Sequence, residues 1–147
     1  MSFWDSSAVV PLLVSHPSSA VLADRHARDT EPIVWWGTFV ECASALARLE
    51  RARALGGQET ERAFDRLHTL RETWNEVAPV EDLRSIAVRF LRVHSLRAAG
   101  AFQLAAAFLA SEGRPASLEF VCFDERLIDA ARREGFRVVQ PEATTVP

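Results

Sequence analysis

The chain has 147 residues and a mass of 16.4 kDa, enough for one compact domain and too little for two ordinary ones. Its 48% hydrophobic and 25% charged residues are those of a globular chain, not a disordered one. All 17 basic residues are Arg and 20 acids outweigh them, a net charge of −3 that excludes a protein gripping nucleic acid mainly by phosphate neutralisation. In chain order, Phe3-Trp4-Asp5 reads as a short strand ending at an acid. Helices are predicted over Ser6–His16 and over Pro17–Asp29, the second opened by Pro17. Pro32–Trp36 reads as a buried strand closed by Gly37. Thr38–Leu55 has helical spacing, with Phe39, Cys42, Ala43, Leu46 and Leu49 on one face, and Gly56-Gly57 stop it. Gln58–Trp74 repeats that pattern, and Asn75–Pro79 is a short connection that can hold a strand.

Two further helices, Val80–Val93 and Leu96–Ser111, meet around His94-Ser95. After a loop at Gly113–Ser117 come an apolar strand (Leu118–Phe123), a helix (Asp124–Glu134) stopped by Gly135, and a last strand (Phe136–Val139). Apolar strands alternating with helices imply a parallel sheet covered on both faces, with the strand carboxyl ends along one edge. The fold class expected is α/β, a small sandwich.

Three acids follow three strands: Asp5, Glu41 and Asp124. Each has an ordinary use. Thr38-Phe39-Val40-Glu41 matches a capping box, and Asp5 and Asp124 stand where they would cap the next helix. Together they reach further, because ligands of an open parallel sheet bind outside the carboxyl ends of its strands. Clustered carboxylates repel unless a cation sits among them, and a hard cation such as Mg2+ or Mn2+ resolves that conflict. Such an ion would also supply the positive charge that the composition lacks.

These residues resemble a known family. Phe3-Trp4-Asp5-Ser6-Ser7-Ala8 is similar to the opening of PIN domains, in particular the VapC-type toxins of bacterial toxin–antitoxin pairs. Thr38–Leu46, Leu96–Ala105 and Phe123–Leu127 followed by Ala130–Gly135 resemble the second, third and fourth motifs of that family. The resemblance spans nearly the whole chain, in the family's order. It implies a PIN-like three-layer sandwich over residues 1–140 with a tail at 141–147. It further implies a cytoplasmic, Mg2+- or Mn2+-dependent endoribonuclease that hydrolyses RNA and is inhibited by an antitoxin, with homodimers usual. Asp5, Glu41 and Asp124 carry over as catalytic metal ligands, and Ser7 as a hydroxyl supporting them. The third motif normally carries an Asp where this chain has Gly100. That departure keeps a second expectation open: a PIN-like binding or regulatory module with weakened or lost catalysis.

Arg97, one helical turn before Gly100, is a candidate phosphate contact beside its plainer reading as a solvated helix arginine, and Arg126 is a weaker one. His16, His26, His68 and His94 show no zinc spacing and read as surface or packing residues. Trp4, Trp35 and Trp36 are expected in the core, as is Trp74 by default. Cys42 and Cys122 read as buried thiols, too few for a disulfide scaffold. The paired helices ending at Leu55 and Trp74 correspond, by resemblance alone, to part of an antitoxin groove. The apolar run Ala8–Val14 is broken by Pro11 and is too short to cross a bilayer, and Asp5 stands where a signal peptide carries basic charge.

Overall fold

A computed structural model describes residues 1–142; most of the tail expected at 141–147 lies outside the described residues. Five strands, β1 (Ser2–Trp4), β2 (Pro32–Trp35), β3 (Asn75–Val77), β4 (Glu119–Val121) and β5 (Arg137–Val139), form one sheet in the order β3-β2-β1-β4-β5. Every pairing is parallel. The connection Asn75–Pro79 thus supplies an edge strand.

Seven helices cover the sheet: α1 (Ser6–Leu13), α2 (Ser19–Arg28), α3 (Thr38–Arg51), α4 (Gly57–Arg71), α5 (Glu81–Val93), α6 (Ala98–Ala110) and α7 (Glu125–Arg133). Successive strand residues point to opposite faces, and the two cores follow that alternation. Trp4, Val34 and Val121 pack against α1 to α4 through Leu13, Leu22, Leu46 and Leu67. Their neighbours Phe3, Trp35 and Phe120 pack the other face, against α5 to α7 through Leu83, Phe90, Leu104 and Leu127. The result is the three-layer sandwich expected, buried on both faces of its sheet.

The departures are local and have physical causes. Helix α1 ends at Leu13, not His16, and Ser19 Oγ donates to Pro11 O (2.6 Å) and Val14 O (3.0 Å), closing the turn before α2. Helix α2 therefore starts at Ser19, two residues after Pro17. Trp36 is not a core residue: the strand stops at Trp35, and the Trp36 side chain is 53% exposed. Trp74 is packed, its indole N–H donating to Glu76 Oε1 at 3.2 Å. His94, at the α5–α6 joint, is 2.6 Å from Glu134 Oε1, a packing role for that histidine.

Topology prepares the site. From β1 the chain builds outward through β2 and β3 on one side, and through β4 and β5 on the other. At such a switch point the helices leave a crevice above the strand carboxyl ends. Asp5, Glu41 and Asp124 all follow strands that meet there.

Candidate active site

Asp5 is almost fully buried, 4% exposed, and its backbone N–H donates to Val121 O at 3.0 Å, extending the β1–β4 ladder. Its Oδ2 accepts from the Ser7 amide (3.1 Å), the Ser7 hydroxyl (2.5 Å) and the Cys122 thiol (3.5 Å). The ordinary reading is thus partly right: Asp5 caps α1. All three bonds fall on one oxygen, and Oδ1 accepts none among the described residues. Ser7 Oγ also accepts from Phe123 N–H (2.9 Å), so this hydroxyl ties the β1–α1 junction to the β4–α7 junction. Cys122 completes the tie, accepting from the Asp124 amide at 3.3 Å. Burial pushes its thiol up, so it remains a neutral donor to Asp5.

Asp124 is exposed at the rim and caps α7, its Oδ1 accepting from the amides of Arg126 (3.0 Å) and Leu127 (3.1 Å). Glu41 differs from the capping-box expectation. Gly37, not Thr38, occupies the N-cap of α3, and no side chain caps that helix. The Glu41 carboxylate instead accepts from Gln103 Nε2 (2.9 Å) on Oε2 and from Ser6 Oγ (3.4 Å) on Oε1. Gln103, buried within the Ala-rich helix α6, also donates to Thr38 Oγ1 at 3.0 Å. Both bonds are made by the amide nitrogen, while Gln103 Oε1 is buried with no partner among the described residues, a group that costs about 1–3 kcal/mol to leave unsatisfied.

Asp5, Glu41 and Asp124 line one cavity of about 550 Å3, with Ser6, Ser7, Arg48, Gly100 and Gln103 around them. A second cavity of about 390 Å3 shares Gly100 and Asp124 with it and adds Arg97 and Arg126. The structure therefore brings all three acids, Ser7 and Gly100 to one crevice and sets Arg97 beside it, at the N-cap of α6. Sequence reasoning missed Ser6, Arg48, Gln103 and the involvement of Cys122. Gln103 had a signal, since it lies one turn after Gly100, and so did Arg48, two turns after Glu41 on α3. Nothing local pointed to Cys122.

Electrostatics in the crevice are uncompensated. Among the described residues, none of the three acids has an Arg or His partner within ion-pair distance. Burial raises the Asp5 carboxyl above its ordinary range, opposed by the Ser7 and Cys122 bonds and reinforced by Asp124. Glu41 is pushed up to about 7, chiefly by burial and then by the charge on Asp5, with Gln103 and Ser6 pulling the other way. Hard oxygens, mutual repulsion and an open oxygen on Asp5 are the donor chemistry that suits a small divalent cation. Among the described residues, no three such side chains are drawn together as a ready-made ligand cluster, in keeping with Asp124 standing at the rim.

No family model matches the chain, and no curated protein matches it. Solved structures share its fold, two of them at nearly full coverage. One is a toxin–antitoxin complex from Klebsiella pneumoniae, with 15% identity over 97% of this chain and 98% of that chain and a TM-score of 0.66. The other is FitAB bound to an IR36 DNA fragment, with 16% identity over 99% and 100% of the two chains and a TM-score of 0.66. The architecture, an all-parallel sheet sandwiched between helices, is accordingly shared with a chain of each of these complexes. A shared fold at this identity does not carry an activity with it, so function rests on the crevice.

Proposed function

We propose that the protein is a divalent-metal-dependent endoribonuclease of the toxin type, of the VapC kind by its motifs, held in check by a protein antitoxin. One observation carries the reading: the carboxylates of Asp5, Glu41 and Asp124 line one crevice and, among the described residues, no protein cation is paired to any of them. Asp5, Glu41 and Asp124 would hold Mg2+ or Mn2+. When bound, such an ion supplies charge stabilisation at a phosphodiester and a more acidic water.

The rest of the work falls to side chains of this chain. Ser7 and Cys122 hold Asp5 Oδ2, which leaves Oδ1 without a protein donor among the described residues. Gln103 and Ser6 hold Glu41. Arg97 and Arg126, which line a cavity with Asp124, and Arg48, which lines one with Glu41, would receive RNA phosphates. An overall charge of −3 then does not forbid RNA binding, because the positive charge is local. The fold shared with a chain of a toxin–antitoxin complex supports an antitoxin partner, and a homodimer is the assembly we expect.

Asp5→Asn tests this directly. Its side-chain oxygen can still cap α1, so the fold should survive while Mn2+-dependent RNA cleavage is lost. Unchanged cleavage in this variant would place the metal elsewhere and overturn the reading. A second reading, a PIN-like binding module without catalysis, draws on Gly100 in place of an acid and on the open arrangement of the three remaining ones. It predicts no cleavage in the wild type either.

A further inference from the structure

A separate pocket of about 450 Å3 lies beside the crevice, walled by Trp35, Trp36, Val80, Leu83, Arg84 and Phe102. Its construction is specific. The Trp35 ring stacks on Phe102 (5.4 Å between centroids, 13° between planes), and the Trp36 ring stands nearly at right angles to it at 6.2 Å. Trp36 is anchored through its backbone N–H to Val77 O at 3.0 Å, so the exposed ring sits on a fixed base. Gly37 is required there: a Cβ would come within 2.4 Å of Trp35 Nε1.

Polar groups indicate what fits. Among the described residues the indole N–H groups of Trp4 and Trp74 are bonded, to Asp29 and Glu76, while those of Trp35 and Trp36 have no acceptor. Among the described residues Arg84 is tied to Glu81 alone, an exposed pair that yields cheaply to another partner. A flat aromatic face, free N–H donors and one guanidinium suit a flat, acceptor-rich ring better than an aliphatic side chain.

The pocket shares no lining residue with the acidic crevice, but two stretches of chain link them. Phe102 precedes Gln103 on α6, and Trp35-Trp36-Gly37 leads directly into the helix that carries Glu41. We propose that this pocket is a nucleobase subsite, in which an unpaired base of single-stranded RNA stacks against Trp36 while its backbone lies along the acidic crevice. The proposal rests on the reading of the crevice as an RNA site. It adds a determinant of where the RNA is held, since only an unstacked base can enter.

The test is titration of the metal-free protein with the dinucleotide adenylyl-adenosine, followed by the four indole N–H resonances, with Trp36→Phe used for assignment. The expected result is movement of the Trp35 and Trp36 signals with those of Trp4 and Trp74 unmoved. Trp36→Ala, at a half-exposed position, should weaken binding about tenfold as read from Trp35. Trp36→Phe, which keeps a stacking face, should weaken it less. Absence of shifts, equal shifts at all four indoles, or the same response to ribose phosphate would overturn the subsite. So would a Trp36→Ala variant that binds the dinucleotide normally but sediments as a smaller species, which would make the pocket a protein contact. Mn2+-dependent RNA cleavage, measured in parallel with Asp5→Asn, separates the two ideas. Trp36-dependent stacking without cleavage sinks the nuclease reading alone, and Asp5-dependent cleavage without Trp36-dependent stacking sinks the subsite alone.

Discussion

Glu41 is the residue at which burial and a neighbouring charge act in the same direction, carrying its carboxyl from 4.5 to about 7. A carboxyl that binds its proton more tightly in the folded than in the unfolded state contributes stability at low pH. That contribution is complete below about 4.5 and is lost as pH rises through about 7. Asp5, also raised, adds a slope of the same sign. His26 opposes them: burial lowers its pKa, so its contribution is lost as pH falls. The clean measurement is therefore a difference. Gln at position 41 mimics the protonated acid, so the melting temperature of metal-free Glu41→Gln should match the wild type below about pH 4.5, exceed it increasingly up to about pH 7, and hold that lead above it. A pH-independent difference would mean that Glu41 is not raised. This residue also marks how far local sequence reaches. Thr38-Phe39-Val40-Glu41 has the spacing of a capping box, but the carboxylate is taken by Gln103, 62 residues away, and Gly37 caps the helix. Tertiary partners outcompeted a correct local pattern.

At the level of elements, α6 is where family likeness and sequence part. Gly100 is its third residue, and it lines both cavities beside Asp124. A Cβ there would meet only Leu96 Cδ2, at an ordinary 3.5 Å, so sterics do not require glycine. Gly100→Ala should therefore stabilise the protein by about 1 kcal/mol through helix propensity. Gly100→Asp gains the same propensity less its own small cost, and a carboxylate in the first turn suits the helix dipole. It also adds a fourth acid to a crevice already repelling itself. Without metal, Asp at 100 should be less stable than Ala near neutral pH, and calorimetry should show tighter Mn2+ binding for Asp than for Ala or wild type. Equal affinities for Asp and Ala would mean that position 100 does not reach the bound ion. Order and type of most elements were legible because the helices have a strong period and several boundaries carry a glycine or proline, as at Pro32, Gly37, Gly56-Gly57 and Gly135. The ends were less so: Trp36 continues an aromatic run in sequence, yet β2 has already stopped and the ring turns outward. Cys122 looked like one more apolar strand residue, and only the pairing of β1 with β4 brings its thiol to Asp5.

For the whole molecule, the parallel sheet gathers three carboxylates at its carboxyl edge and, among the described residues, pairs none of them with an arginine or histidine, so folding stores repulsion that a divalent ion should relieve. A ligand that binds only the folded state stabilises it by about 2.7 kcal/mol at a hundredfold excess over its dissociation constant. For a chain of this length each kcal/mol moves the melting temperature by roughly 2–4 °C. Saturating Mn2+ should therefore raise it by roughly 5–11 °C near pH 8. Near pH 5 the shift should shrink, because Glu41 holds a proton there for which the ion must compete. Asp5→Asn should remove most of the shift at either pH. Differential scanning fluorimetry with and without Mn2+, at both pH values and for both proteins, makes the comparison. A wild type that is indifferent to Mn2+ at pH 8 would leave the acids without a cation and favour the binding-module reading over the nuclease.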